Sequence, residues 1–153
     1  MWQKSELFDI SRNVWQSFSS EQLLEDNAEP ENINLSLLQC FNCHLSTHHT
    51  VMMGVDLMAG YKLAADMLNT SVESLSVEDE KDALIELMNC ICGQLDRYHP
   101  ANDCFDHPTL LTPEETEVLL EDSNTLLVLT AKVGEKCFYI GILEAKAARA
   151  GVV

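Results

Sequence analysis

Residues 76–98 read SVEDEKDALIELMNCICGQLDRY. Ser76 offers a hydroxyl oxygen, and Asp79 offers a carboxylate three residues later. That spacing satisfies two of the free N–H groups that open a helix, so the stretch has a defined start. His99-Pro100 supplies the stop, because the residue before a proline is pushed out of helical geometry. At about 100° per residue, Leu84, Leu87, Met88, Ile91, Leu95 and Tyr98 fall on one side. Asp82, Glu86, Asn89, Gly93 and Asp96 fall on the other, within an arc of roughly 80°. The sequence therefore predicts a helix from Val77 to Tyr98 with one face in a core and one facing outward.

The flanking segments give that helix something to cover. Residues 58–68 are rich in helix formers and stop near Asn69. Residues 35–45 and 51–55 form two extended runs around the polar 46–50, which reads as a hairpin. In residues 5–19, Leu7, Ile10, Val14 and Phe18 recur at three- and four-residue steps, an amphipathic helix with a narrow apolar stripe. Residues 25–34 contain Pro30 and read as a loop, as do 101–113. Thr112-Pro113-Glu114-Glu115 is a helix start with proline in the first turn. Residues 124–130 and 137–143 are strand-like around the turn 133–136, and 144–153 read as a short tail. Helices and hairpins are mixed rather than strictly alternating. The expected class is α+β, layered, with a mainly antiparallel sheet and helices packed on it. A length of 153 residues suits a single domain, 1–153.

Composition excludes several function classes. Acidic residues outnumber basic ones 25 to 9, for a net charge of −16. Duplex binding needs a basic footprint, and so does attraction to an anionic membrane surface, so neither nucleic acid nor a membrane is an expected partner. No apolar run has the length of a membrane span, and the first residues lack a signal-peptide core. The expected compartment is the cytoplasm. The six cysteines are then expected as free thiols.

The outward face of the 77–98 helix carries the chemistry. A face chosen only for stability would hold Glu, Lys, Gln or Ala, yet Asn89 and Gly93, both poor helix formers, stand in its middle. Gly93 leaves a bare patch of backbone where another protein can approach. Asp82-Ala83-Leu84-Ile85-Glu86-Leu87-Met88-Asn89 follows the spacing D-x-x-x-E-x-x-N, which resembles the signature of the CheC/CheX/FliY phosphatase family. Glu86 to Gly93 is similar to that family's E-L-x-N-x-x-x-G helix. The hairpin, the helix and acidic linker before it, and the closing hairpin agree with a CheX-type arrangement. The resemblance spans about residues 14–143, and its specific part is 86–93. Pro108 and Pro113 are both candidates for the family's downstream proline. One motif copy is present, as in CheX.

The resemblance implies a CheC/CheX-like fold and a phosphatase acting on the phospho-aspartate of a CheY-like response regulator. Asn89 would orient the attacking water, and Glu86 would dock onto a regulator lysine. Asp82 and Gly93 would be supporting positions. It implies no cofactor or metal bound by this chain, with Mg²⁺ supplied by the regulator, and a homodimer formed through the sheet. The alternative is a non-catalytic CheX-like interaction module, which would tolerate loss of Asn89.

Other motifs compete less well. Cys40-Phe41-Asn42-Cys43-His44 matches C-x-x-C-H, the haem-attachment string, and with His48 and His49 it offers zinc ligands. An extended backbone would place Cys40 and Cys43 on opposite faces, which counts against both. Cys90, beside Asn89, is a conceivable redox-sensitive thiol, with core filling the simpler reading of Cys90 and Cys92. His99 and His107 read as surface histidines.

Overall fold

Alternation along two long strands divides the molecule into layers. In β3 (His49–Val55) and β6 (Lys136–Ala145), Val51, Met53, Val55, Phe138, Ile140 and Ile142 point to one side and are fully buried. Met52, Tyr139 and Leu143 point to the other and form a second, smaller core. Both faces of the sheet are therefore covered. The computed structural model describes residues 2–100 and 106–146. Around β3 and β6 stand β1 (Leu23–Glu25), β2 (Gln39–His44), β4 (Thr109–Leu111) and β5 (Ser123–Val133), in the order β1-β5-β6-β3-β2-β4. Every neighbouring pair is antiparallel.

Three helices, α1 (Lys4–Phe18), α2 (Leu57–Leu68) and α3 (Val77–Tyr98), lie over the larger core. The fourth, α4 (Pro113–Glu121), covers the opposite face with two short 3-10 turns, Pro30–Asn32 and Leu35–Leu37. The helix ends follow local chemistry. Ser76 Oγ accepts from Asp79 N at 3.1 Å while Asp79 Oδ2 accepts from Ser76 N at 2.9 Å, and Thr112 and Glu115 repeat the arrangement at α4. Asn69 ends α2 in the left-handed region, φ 52°. Gly134, φ 61°, makes the tight turn between β5 and β6.

The structure corrects several expectations. Residues 109–111, read as loop, pair with β2, and Leu23 to Glu25 pairs with β5. Such three-residue strands carry no period that a sequence can show. Residues 35–37 form a 3-10 turn rather than the start of a strand. β6 runs on through Glu144 to Ala145, where a tail was expected. The α1 stripe is wider than four residues, since Ser11 and Trp15 are buried too. Tyr98, at the last turn of α3, is 60% exposed despite its place on the apolar side. Cys104 and the segments 101–105 and 147–153 lie outside the described residues. No helix among the described residues is long and apolar enough to cross a membrane.

One buried acid fixes how α3 meets its neighbours. Glu80, in the first turns of α3, is 1% exposed, and its Oε2 accepts from Gln39 Nε2 at 2.8 Å. The carboxylate lies against the backbone of Gly60 on α2, where a Cβ would overlap it. Burial pushes its pKa up, and the Gln39 bond opposes that only in part. The folded chain thus holds this proton more tightly than the unfolded chain does. The contribution is favourable in acid and is lost as pH rises through the folded pKa. Glu80→Gln keeps an acceptor for Gln39 and removes the charge. The variant should gain on wild type as pH is raised from acid to neutral, read from denaturant midpoints at both ends. A constant difference across pH would show that Glu80 does not titrate with folding.

Candidate functional site

The expected site residues come together as one exposed strip of α3. Asp82 and Glu86 are exposed, while Asn89 and Gly93 are partly exposed. The opposite side of the same helix is fully buried at Leu84, Leu87, Met88, Ile91 and Leu95, so the strip cannot roll inward. α3 is held at its start by the Glu80–Gln39 bond and at its end by His99, whose Nε2 lies 2.8 Å from Glu6 Oε1 of α1. His99 is therefore a helix-end clasp rather than a plain surface histidine, with the Trp2 ring edge-on at 5.7 Å. His107 is exposed, as expected.

Within the strip the side chains are prepared differently. Among the described residues no side chain bonds the Asn89 carboxamide, so its donor and acceptor are both available. Glu86 Oε1 accepts from the Cys90 thiol at 3.6 Å, a contact across one helical turn. Burial pushes the Cys90 thiol pKa up, and the Glu86 charge adds to the rise. Cys90 is then an S–H donor to a carboxylate rather than a ready thiolate, which counts against a redox role and favours the simpler packing reading. A Cβ on Gly93 would meet nothing within 4 Å. The chain's own packing gives no reason for glycine there, although glycine costs a helix interior about 1 kcal/mol relative to alanine. The strip therefore offers one carboxylate, one neutral amide and one gap, spaced about a turn apart.

The competing motif does not assemble. Cys40 and Cys43 are buried on opposite faces of the sheet, Cys40 in contact with the 3-10 turn and Cys43 in the larger core. Cys43 Sγ donates to the Asp106 carbonyl at 3.0 Å. His44 Nδ1 lies 2.9 Å from Thr50 Oγ1, and His49 Nε2 lies 3.5 Å from Glu144 Oε2. No group of three or more His, Cys, Asp or Glu among the described residues is placed to hold a metal. Of the two candidate prolines, Pro108 is buried just before β4, and Pro113 opens α4.

A feature that the sequence pattern did not single out flanks the strip. A groove of about 410 Å³ runs between α1 and α3 beside Cys90. Its signal was divided between two helices that are distant in sequence.

No family model matches the sequence, and no curated protein matches it. Solved structures do. Chemotaxis protein CheX from Vibrio vulnificus is similar with a TM-score of 0.67 at 12% identity, covering 90% of this chain and 93% of that one. A chain of the CheX–CheY–BeF3–Mg²⁺ complex from Borrelia burgdorferi gives 0.66 at 14%, covering 94% and 99%. A CheC-like superfamily protein from a Shewanella species gives 0.63 at 13%, covering 92% and 95%. Among the described residues, the four helices on a six-stranded antiparallel sheet are thus a CheC/CheX-like fold.

Proposed function

We propose that this CheX-like domain acts on a CheY-like response regulator, as a phosphatase that hydrolyses its phospho-aspartate. The observation that carries the reading is the α3 strip: an exposed carboxylate and, one turn on, a partly exposed amide that bonds no side chain among the described residues, with open space at Gly93. Phosphoryl transfer asks a protein mainly to place the nucleophile in line with the leaving oxygen. An amide suits that task, because it donates and accepts and stays neutral beside a phosphoryl dianion. Asn89 orients the water. Glu86, steadied by Cys90, takes a lysine of the regulator in a charge-assisted bond and sets the register. Asp82 supports the same face one turn earlier. The regulator brings both the phosphoryl group and the Mg²⁺, which neutralises charge as the acyl–phosphate bond breaks. This chain supplies no metal ligand to the reaction, and the reaction's place is the cytoplasm.

The test is to mix the chain with a phosphorylated CheY-like receiver of the source organism and Mg²⁺, and to follow loss of acyl phosphate. Acceleration over the regulator's own decay is expected. Binding without acceleration would leave an interaction module instead.

We also propose that the chain forms a homodimer. Among the described residues β4 has a strand on one side only, with Leu110 38% exposed, and such an edge pairs readily with a second copy. Light scattering should give twice the chain mass. A monomer at high concentration would overturn the pairing.

A further inference from the structure

We propose that the groove between α1 and α3 is a second contact for the same receiver domain, one that selects which regulator is accepted. The inference rests on the phosphatase reading above. Ile10 and Val14 of α1 are 6% and 8% exposed and form an apolar floor, with Asn13 and Ser17 exposed along one rim. From α3 come Cys90, Gln94 and Tyr98, the continuation at four-residue steps of the row that holds Glu86, beside the row of Asn89 and Gly93.

Two observations name the occupant. The first is continuity. Cys90 lines the groove and also donates to Glu86 at 3.6 Å, so the groove opens directly onto the docking carboxylate. Gln94 is five residues beyond Asn89, about 8 Å along the helix axis. A receiver-sized domain, about 26 Å across or more, covers the groove when its phospho-aspartate is centred on Asn89. The bare Gly93 between them lets that surface come close.

The second observation is charge. The chain carries a net −16, yet among the described residues none that lines the groove is Asp, Glu, Lys, Arg or His. A strongly acidic protein approaching a phosphoryl anion meets repulsion. An uncharged groove supplies attraction free of it, through a desolvated floor and hydroxyl and amide groups on the rim. The fitting partner segment is uncharged, with an apolar side chain for the Ile10–Val14 floor and hydrogen-bonding neighbours for Asn13, Ser17 and Gln94. A charge brought into this space would be desolvated on docking without a partner.

Ser17→Arg and Ser17→Glu place long charged side chains of opposite sign on the exposed rim. Both are helix formers better than serine, and neither touches Asn89. Each variant would be measured for binding to the beryllofluoride-activated receiver and for dephosphorylation. We expect each to weaken Kd and raise KM about 10-fold, with kcat within about two-fold of wild type. Ser17→Ala removes one rim hydroxyl without adding charge and should weaken Kd by only about two- to three-fold. If both charged variants bind as wild type does, the groove is not covered and the inference falls. If only one sign weakens binding, the effect is long-range charge and the inference falls as well. A wild type that binds the receiver without hydrolysing its phosphate overturns the phosphatase reading and leaves the groove to be judged on Kd. A wild type that neither binds nor hydrolyses overturns both.

Discussion

An Asn89→Ala variant is expected to lose about 100-fold of the acceleration of acyl-phosphate loss while keeping its fold and its grip on the regulator. Alanine favours a helix interior over asparagine by roughly 0.5 kcal/mol. The carboxamide bonds no other side chain among the described residues, so its removal leaves no buried group unpaired. The variant should therefore unfold at a temperature equal to or slightly above that of wild type. Lower activity in a protein that is no less stable isolates the chemistry from the scaffold. The kinetic form of the loss matters too. If Asn89 only orients water, kcat falls and affinity for the beryllofluoride-activated receiver stays near wild type. A fall in affinity with kcat unchanged would make Asn89 a docking residue and return the chain to the class of binding modules.

Trp15→Ala carries the largest expected effect on stability, a loss of about 3–5 kcal/mol. Trp15 is 1% exposed, and its ring meets Phe138 of β6 edge-on, centroids 5.9 Å apart at 77°. That contact fastens α1 to the centre of the sheet. Most domains of this size have only about 5–15 kcal/mol to lose, so the variant should be close to unfolding, with Tm lower by roughly 10 °C or more. The indole N–H has no hydrogen-bond partner among the described residues, so the loss is one of packing. Trp15→Phe keeps an aromatic ring and gives up a donor that was not in use. Its cost should be about 1–2 kcal/mol. Thermal or denaturant unfolding of the two variants checks the argument. Equal losses would mean that the buried N–H matters more than the ring. α1 also forms one wall of the groove, so a partly detached α1 should weaken receiver binding before it affects the α3 strip.

Much of the candidate site's geometry was legible in the sequence, because its residues share one helix. A capping box at Ser76 and Asp79, a stop at His99-Pro100 and a strict apolar side fixed both the phase and the ends of α3, and with them the outward strip of Asp82, Glu86, Asn89 and Gly93. The layered α+β class followed in the same way from hairpins and helices with clear local signals. What had no local signal was hidden. β1 and β4 are three residues long and become strands only because a longer neighbour offers them a ladder.

The division follows from range. Sequence alone determined what short-range backbone geometry and side-chain period dictate: the helices, the two main hairpins, the faces of α3 and the acidic charge. Only the tertiary structure decided which distant surfaces meet. It buried Glu80 against Gly60 and Gln39, and it fastened His99 to Glu6. It also placed α1 beside α3 so that an uncharged groove opens next to Glu86. Each of these depends on burying apolar surface between elements far apart in the chain, a force that is non-directional and leaves no mark in any single segment.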